Sequence, residues 1–299
     1  MVKLVECIPN FSEGQDLEII NNLVEIAKSM PNVTLLDYSS DANHNRSVFT
    51  LVGDSEIISE VIFQMMKYAT DHIDVTKQIG EHPRMGATDV VPFVPIKGIT
   101  SEECVLISKE LAKRVNTELN IPIFLYEESA TAANRKNLAK IRKGQIEKMP
   151  EKLLLDEWQP DFGDRKIHPT AGVTAIGARM PLVAFNVNLD TDDITIANKI
   201  ARIVRGSNGG FKYCKGIGVM LEDRNIAQVS MNMVNFEGTP LYRAFETIRF
   251  EAQRYGVNII GSELIGLAPA KALIDTAEYY LQIEDFDYNK QVLENYLLN

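Results

Sequence analysis

Cysteine is scarce in this 299-residue sequence, and its spacing excludes the sites that cysteines usually build. The three cysteines, Cys7, Cys104 and Cys214, lie far apart, and no CxxC pair occurs. An odd and widely spaced set predicts neither a disulfide framework nor a zinc site. We therefore expect reduced cysteines in the core of a cytoplasmic protein.

Positive charge and long apolar runs are also in short supply. The chain has 31 basic and 41 acidic side chains, a net charge of −10, which argues against nucleic acid or an anionic membrane as a partner. No apolar run is long enough for a membrane-spanning helix. The first residues, MVKLVECIPNF, carry one lysine and no long apolar core, so they predict a strand and not a signal peptide.

The sequence does contain a repeated alternation of strand and helix patterns. Segments such as VTLLDYS and SVFTLVG are rich in β-branched and aromatic residues, and apolar residues at helical spacing follow them. The chain is longer than one ordinary domain, and LVECIPNFSEG in the first half shares its rhythm with LVAFNVNLDTD in the second. We therefore predict an α/β fold of two related subdomains, residues 1–178 and 179–299, each a mixed β-sheet with helices packed on it.

Three details of this pattern are specific enough to be checked. Thr100 and Glu103 fit a capping box at the start of a helix. Thr239 and Pro240 fit the N-cap and first residue of another helix. The two prolines of VVPFVP, residues 90–95, predict an edge strand or a strand end, because proline lacks the N–H that a central strand donates.

Histidine is rare as well, and the four histidines differ in their surroundings. His72 falls at the end of a predicted helix, where a structural role is favoured. His44 lies in DANHNRS, which is either a solvated loop or part of a site. His82 and His168 each precede a proline in a glycine-containing loop, which favours an extended backbone and a projecting side chain.

The stretch EHPRMG around His82 combines residues suited to acid–base chemistry. An imidazole titrates near neutral pH, so it can accept and return a proton. Glu81 is its direct neighbour, but adjacent extended residues point to opposite faces. Arg84 is expected on the face of His82, where it would lower the pKa of the imidazole and bind a carboxylate. The alternative is a tight surface loop held by Arg84 and Asp89.

The second candidate is the basic loop GDRKIHPTAG, residues 163–172, which has a glycine at each end. In an acidic protein this loop is either an anion-binding loop or the link between two domains. RGSNGG, residues 205–210, lacks the GKS/T of a phosphate loop and follows a helix instead of a strand, which argues against a nucleotide site. No HExxH, GxSxG or CxxC motif occurs.

Several segments together resemble glutamate formiminotransferases. The resemblance is carried by LVECIPNFSEG, GEHPRMGATDVVPFVP, QPDFGD, TAIGAR, AFNVNL and NIAQVSMNM, which are spread over almost the whole chain. In vertebrates this family is fused to a cyclodeaminase. The resemblance ends where the transferase part ends, so we expect a stand-alone transferase without a cyclodeaminase domain.

The resemblance implies transfer of the formimino group from N-formiminoglutamate to N5 of tetrahydrofolate, in histidine degradation and one-carbon metabolism. It also implies a folate groove between the subdomains, a homodimer, and tetrahydrofolate as co-substrate without a metal. The catalytic histidine of the family falls on His82, and Arg46 and Arg84 are our candidates for binding the donor carboxylates. The folate-binding loop falls on Gly163, Asp164, Arg165, Lys166, Ile167, His168, Pro169, Thr170, Ala171 and Gly172, a loop that departs from the vertebrate pattern at its charged residues and at Ala171.

In this interpretation N5 attacks the amidine carbon of the donor. His82 removes the proton from N5 and then gives a proton to the departing glutamate nitrogen. A formyl transferase that uses N-formylglutamate and 5-formyltetrahydrofolate is the alternative within the same family. A folate-binding protein without catalysis and an interaction scaffold are more remote alternatives, and turnover with each donor separates them.

Overall fold

The computed structural model describes residues 3–297, which divide into one compact unit ending at Arg179 and another beginning at Met180. The first unit contains a seven-stranded sheet, whose strands β1 to β7 are Leu4–Cys7, Asn10–Phe11, Val33–Asp41, Arg46–Asp54, Thr88–Lys97, Ile123–Glu127 and Thr174–Ala178. Its helices α1 to α5 are Leu17–Ala27, Ile58–His72, Ser101–Leu119, Leu138–Arg142 and Gln145–Leu153. Two 3₁₀ turns are also present, Ala133–Arg135 and Asp156–Trp158.

The sheet of the first unit is mixed and is covered by helices on both faces. Its strand order is β1-β4-β2-β5-β7-β6, with β3 paired to β4, and β7 runs parallel to both β5 and β6. The long helices α1, α2 and α3 pack on one face, whose core includes Val91. The short helices α4 and α5 pack on the other face with Val90, because successive residues of a strand point to opposite sides.

The strand β5 lies inside this sheet, so the prediction of an edge strand from its prolines is wrong. It pairs with β1 and β2 on one side and with β7 on the other. The carbonyl of Pro92 accepts a hydrogen bond from the N–H of Ile8 at 3.2 Å, in the gap between β1 and β2. The sheet tolerates Pro92 because its missing N–H falls at this interruption of the neighbouring strand. Pro95 lies opposite Val5, beside a register shift and near the end of β5.

The second unit contains a four-stranded sheet, whose strands β8 to β11 are Val183–Leu189, Cys214–Leu221, Ile226–Met233 and Ile259–Ile265. The order is β11-β8-β10-β9, and every pairing is antiparallel. Its helices α6 to α10 are Ile194–Val204, Leu241–Gln253, Ala270–Leu281, Tyr288–Gln291 and Glu294–Leu297, with a 3₁₀ turn at Gly206–Asn208. The predicted α/β class with two subdomains is confirmed, but this second sheet is antiparallel instead of mixed.

The details predicted from the sequence meet different outcomes. The capping box of Thr100 and Glu103 is present at the start of α3. The helix α7 begins one residue later than predicted, with Pro240 at the N-cap and Leu241 as its first residue. The three cysteines are buried and unpaired, as predicted. Within residues 3–297 no helix is long and apolar enough to cross a membrane.

Candidate functional site

The turn between β3 and β4, residues 42–45, packs against the loop that precedes β5, residues 79–87, which we call the His82 loop. The N–H of Glu81 donates to the carbonyl of Asn43 at 3.2 Å. A side chain at Gly80 would lie 2.3 Å from a backbone carbonyl oxygen of the turn, so this approach requires glycine. The stretches DANHNRS and EHPRMG, which were separate candidates in the sequence, therefore belong to one site.

Asn45 holds the turn in this position. It adopts a φ of +49°, which asparagine tolerates, and its side-chain oxygen accepts from the N–H of Gly14 at 2.9 Å. Its amide group donates to the carbonyl of Ile79 at 3.1 Å and to the side chain of Gln78. Gln78 in turn donates to the buried carboxylate of Glu13 at 2.8 Å. This buried network fixes the turn relative to the His82 loop.

The predicted folate-binding segment, residues 163–172, packs against the other end of the His82 loop. The N–H of Ala87 donates to the carbonyl of Ala171 at 3.0 Å. The N–H of Val173 donates to the carbonyl of Met85 at 2.9 Å. The two segments that the sequence singled out independently are thus joined by backbone hydrogen bonds.

Gly172 and His168 shape the 163–172 loop. Gly172 has a φ of +67°, and a Cβ on it would lie 2.3 Å from the carbonyl oxygen of Met85. His168 and Gly172 exchange backbone hydrogen bonds of 2.9 and 3.1 Å. The Nδ1 atom of His168 accepts from the N–H of Ala171 at 3.0 Å, and burial lowers the pKa of this histidine. His168 therefore acts as a neutral acceptor that closes the turn.

The residues of the 163–172 loop differ in their access to a ligand. Ala171 and Gly172 are buried, and Ile167, His168 and Thr170 are half-buried. Arg165 is exposed but contacts the carboxylate of Asp156 at 2.8 Å and the side-chain oxygen of Gln159 at 3.1 Å. The exposed members are Gly163, Asp164, Arg165, Lys166 and Pro169. We therefore predict that the exposed residues of this loop are the ones whose side chains contact folate.

His82 lies on the loop between these two sets of contacts and is half-buried. Burial lowers its pKa to about 3, and the positive charges of Arg46, Arg142 and His44 contribute to the same shift. An imidazole with this pKa is neutral at physiological pH. His82 can therefore accept a proton, and the cations around it disfavour its charged form until an anion offsets them.

Arg46 begins β4 and is one of the cations that act on His82. Its guanidinium donates to the side-chain oxygen of Asn10. Its pKa is lowered to about 10, chiefly by burial and then by the charge of Arg142, while the charge of Asp89 acts in the opposite direction. Arg46, predicted as a carboxylate-binding residue, therefore belongs to the group of charges around His82.

Arg142 and Asp89 complete this group, and no pattern in the sequence indicates that they pair. Arg142 is the last residue of α4, and its guanidinium forms an ion pair with the buried carboxylate of Asp89. Asp89 also accepts from the N–H of Met85 at 2.8 Å, which ties it to the His82 loop. Arg142 is one of many cations in a charged helical stretch. The feature that sets it apart in the sequence is its position directly after the apolar Ile141, which is buried in the structure.

Arg84, the second predicted carboxylate-binding residue, is engaged with α5. Its guanidinium donates to the side-chain oxygens of Gln145 at 3.2 Å and Glu147 at 2.9 Å. Its carbonyl accepts from the N–H of Ile146 at 2.9 Å. The chain bends at residues 81 and 82, so the alternation of an extended strand does not place Arg84 beside His82. Arg84 fastens α5 to the His82 loop, and Arg46 is the better placed of the two predicted residues.

The remaining histidines have other contacts. His44 is exposed, and its Nδ1 lies 3.0 Å from the carboxylate of Asp41. His72 ends α2 and stacks on Tyr68, with ring centroids 4.0 Å apart. Among the described residues no group of three His, Cys, Asp or Glu side chains is arranged to hold a metal ion.

Comparison with known proteins agrees with the resemblance found in the sequence. Residues 4–179 match the family described as "Formiminotransferase domain, N-terminal subdomain", and residues 184–294 match "Formiminotransferase domain". The chain is 75% identical over 298 residues to a "Glutamate formimidoyltransferase" of Streptococcus pyogenes serotype M1, with both chains covered in full. It is 46% identical to a protein of the same description from Thermoplasma acidophilum, over 96% of this chain and 95% of that one. A mouse "Formimidoyltransferase-cyclodeaminase" is 44% identical over 95% of this chain, which spans 53% of the mouse protein.

Proposed function

This chain belongs to the formiminotransferase family, and we propose that it acts as a folate-dependent glutamate formimidoyltransferase. It transfers the formimino group from N-formiminoglutamate to N5 of tetrahydrofolate, which yields 5-formiminotetrahydrofolate and glutamate. Tetrahydrofolate is then a co-substrate. The observation that carries the proposal is a neutral, half-buried imidazole that feels the charges of two arginines, on a loop that hydrogen-bonds to the 163–172 loop.

The proposed reaction needs one group that accepts a proton and later returns it. N5 of tetrahydrofolate attacks the amidine carbon and forms a tetrahedral intermediate, while its N–H proton passes to Nδ1 or Nε2 of His82. The resulting imidazolium protonates the glutamate nitrogen, and the bond between that nitrogen and the transferred carbon breaks. His82 returns to its neutral form, so each turnover is balanced in protons.

The distribution of charge supports this order of steps. His82 is neutral before the reaction because burial and the nearby cations lower its pKa to about 3. A donor that brings carboxylates to these cations offsets part of their charge, which favours the imidazolium during the reaction. The exposed residues of the 163–172 loop are our candidates for contacts with folate.

The proposal is tested by steady-state kinetics with two donors, N-formiminoglutamate and N-formylglutamate, each with its matching folate. We expect turnover of the formimino donor, and we expect His82→Ala and His82→Gln to lower kcat by about 10²- to 10⁴-fold. Calorimetry with 5-formyltetrahydrofolate should show that both variants still bind folate.

His72→Gln is the matched control, because His72 lies at the exposed end of α2 and contacts Tyr68. It should retain the activity of the wild type. An unchanged kcat in the His82 variants would contradict the role of His82. Folate binding without turnover of either donor would favour a binding protein, and turnover of only the formyl donor would replace the proposed substrate.

We also propose a cytoplasmic homodimer, as the family resemblance implies. Light scattering of the purified protein measures this directly. A dimer has twice the chain mass of 33.5 kDa, and a mass of 33.5 kDa at micromolar concentration would refute it.

A further inference from the structure

Arg46 and Arg142 share only one counter-ion in the described part of the chain. Arg46 begins β4 and Arg142 ends α4, yet the charge of each acts on the same histidine. Asp89 forms an ion pair with Arg142, while Arg46 contacts the neutral side chain of Asn10. The group of Arg46, Arg142 and Asp89 therefore has an excess of one positive charge beside His82. An excess charge that is partly shielded from solvent is unfavourable unless an anion joins it.

Both guanidinium groups also retain unused donors. The Nε atoms of Arg46 and Arg142 are shielded from solvent and have no hydrogen-bond partner among residues 3–297. Buried donors in native proteins normally find an acceptor. The Nε atoms of Arg84 and Arg135 are unpaired as well, so the free Nε atoms of Arg46 and Arg142 supply donors for a ligand, and the excess charge is what points to an anion. A carboxylate fits, because its two oxygens match the planar donor pattern of arginine.

Arg135, which is buried, shows what a completed ion pair looks like in this chain. Arg135 pairs with Asp161 at 2.7 Å, with side chains 9% and 6% exposed, and it also donates to the carbonyl of Gln159. The Nε of Arg135 is unpaired too, but this pair has equal numbers of positive and negative charges. The excess charge, together with the histidine beside it, therefore distinguishes the pair formed by Arg46 and Arg142.

We propose that Arg142 and Arg46 together bind a carboxylate of the glutamate part of the donor and so place the donor's reacting nitrogen beside His82. The inference rests on the proposed function and adds to it a binding residue, Arg142. Arg84 keeps its contacts with α5 and does not bind the donor. The ligand chemistry is a glutamyl carboxylate, which both the donor and the tail of folate carry, and we assign it to the donor.

The test removes the positive charge of Arg142 without leaving Asp89 buried alone. The variant is the double substitution Arg142→Gln with Asp89→Asn, and Arg142→Lys is the conservative variant. The matched control is Arg135→Gln with Asp161→Asn, which removes an ion pair of similar burial (9% and 6% exposed, against 16% and 3% for Arg142 and Asp89). Circular dichroism confirms folding of each variant before it is assayed.

The measurements are the KM values for N-formiminoglutamate and tetrahydrofolate and the inhibition constant of glutarate, a dicarboxylate with no group to transfer. Loss of a charge-assisted contact is expected to raise the KM of the donor and the inhibition constant of glutarate by about 10- to 100-fold. The KM for tetrahydrofolate should change less than either, Arg142→Lys should recover part of the loss, and the control should leave both donor values near those of the wild type.

Three results would overturn the proposal. The first is an unchanged donor KM and glutarate inhibition in the folded Arg142 double variant. The second is an equal loss in the Arg135 control, which would mean that any buried ion pair matters in the same way. The third is a rise in the KM of tetrahydrofolate alone that is not seen with tetrahydropteroate, which lacks the glutamate tail. This result would mean that Arg142 binds the folate tail instead of the donor. If the wild type transfers no formimino group, the proposed function fails, but calorimetric titration of glutarate into both proteins still decides the role of Arg142.

Discussion

Replacing Gly172 with alanine is expected to disturb the contact between the 163–172 loop and the His82 loop, because the added methyl group needs space that the Met85 carbonyl fills. The Cβ would lie 2.3 Å from that carbonyl oxygen, and the φ of Gly172 is +67°. The N–H of Met85 donates a hydrogen bond to the carboxylate of Asp89, so a shift of Met85 would also move the charges around His82. The substitution therefore affects both the stability and the site.

Two effects set the size of the destabilisation. A left-handed backbone costs a non-glycine residue about 1–2 kcal/mol, and the smaller entropy of the unfolded chain offsets about 0.4–1 kcal/mol of this. Overpacking against the carbonyl adds about 1–3 kcal/mol. Gly256→Ala is the matched control, because Gly256 has a φ of +68° and, apart from its neighbours along the chain, no described residue has an atom within 4 Å of the added Cβ. We expect Gly172→Ala to be more destabilising than this control by about 1–3 kcal/mol.

Urea unfolding followed by far-ultraviolet circular dichroism measures the difference, and kcat/KM reports the site. A displacement of about 1 Å near reacting groups can cost 10²-fold in rate, so we expect kcat/KM to fall by at least about tenfold in Gly172→Ala. Gly172→Asn separates the two effects, since asparagine tolerates the left-handed region but retains the Cβ. The reasoning fails if both alanine variants are equally destabilised, or if asparagine restores the stability of the wild type.

Two further predictions concern the charges around His82. The pKa of His82 is about 3 in the folded protein and 6.5 as a free side chain, so the unfolded chain binds a proton that the folded protein does not. The free energy of unfolding should therefore fall as the pH is lowered from 6.5 toward 3, and it should fall less steeply in His82→Gln. Urea titrations at several pH values measure this dependence, and an equal dependence on pH in the wild type and the variant would refute the prediction. Lys152 donates to the carbonyls of Lys140 and Ile141 at 2.6 Å each, at the end of α4 that carries Arg142. Lys152→Gln should therefore raise the KM for the donor severalfold. The control Lys148→Gln changes an exposed lysine of α5 and should leave this KM unchanged. Identical KM values in the two variants would show that the contacts of Lys152 with α4 do not position Arg142.

The sequence predicts those parts of the site whose residues lie close together along the chain. His82, its proline and the glycines on either side lie within one short motif, and GDRKIHPTAG is equally local. The pairing of Arg142 with Asp89 joins a short helix to the start of β5, and helical periodicity does not identify which cation of a charged stretch pairs with a distant carboxylate. The direction of the Arg84 side chain is hard to predict for a related reason, since the two-residue spacing from His82 assumes an extended strand and the chain bends there. Pro92 was misjudged because its neighbour along the sheet, the gap between β1 and β2, is not visible in the sequence around it.

The two roles assigned to the arginines depend on each other. Arg46 and Arg142 help to lower the pKa of His82, so the histidine of the free protein is a weak base. If a donor carboxylate binds the same two guanidinium groups, its negative charge opposes theirs, and the imidazolium becomes less unfavourable. His82 then accepts the proton of N5 more readily when the donor is bound than when it is absent. His44 is exposed and already paired with Asp41, and its charge lowers the pKa of His82 less than the charges of the two half-buried arginines do. On this account the charges that bind the donor also restrict proton transfer to the complex in which a transferable group is present.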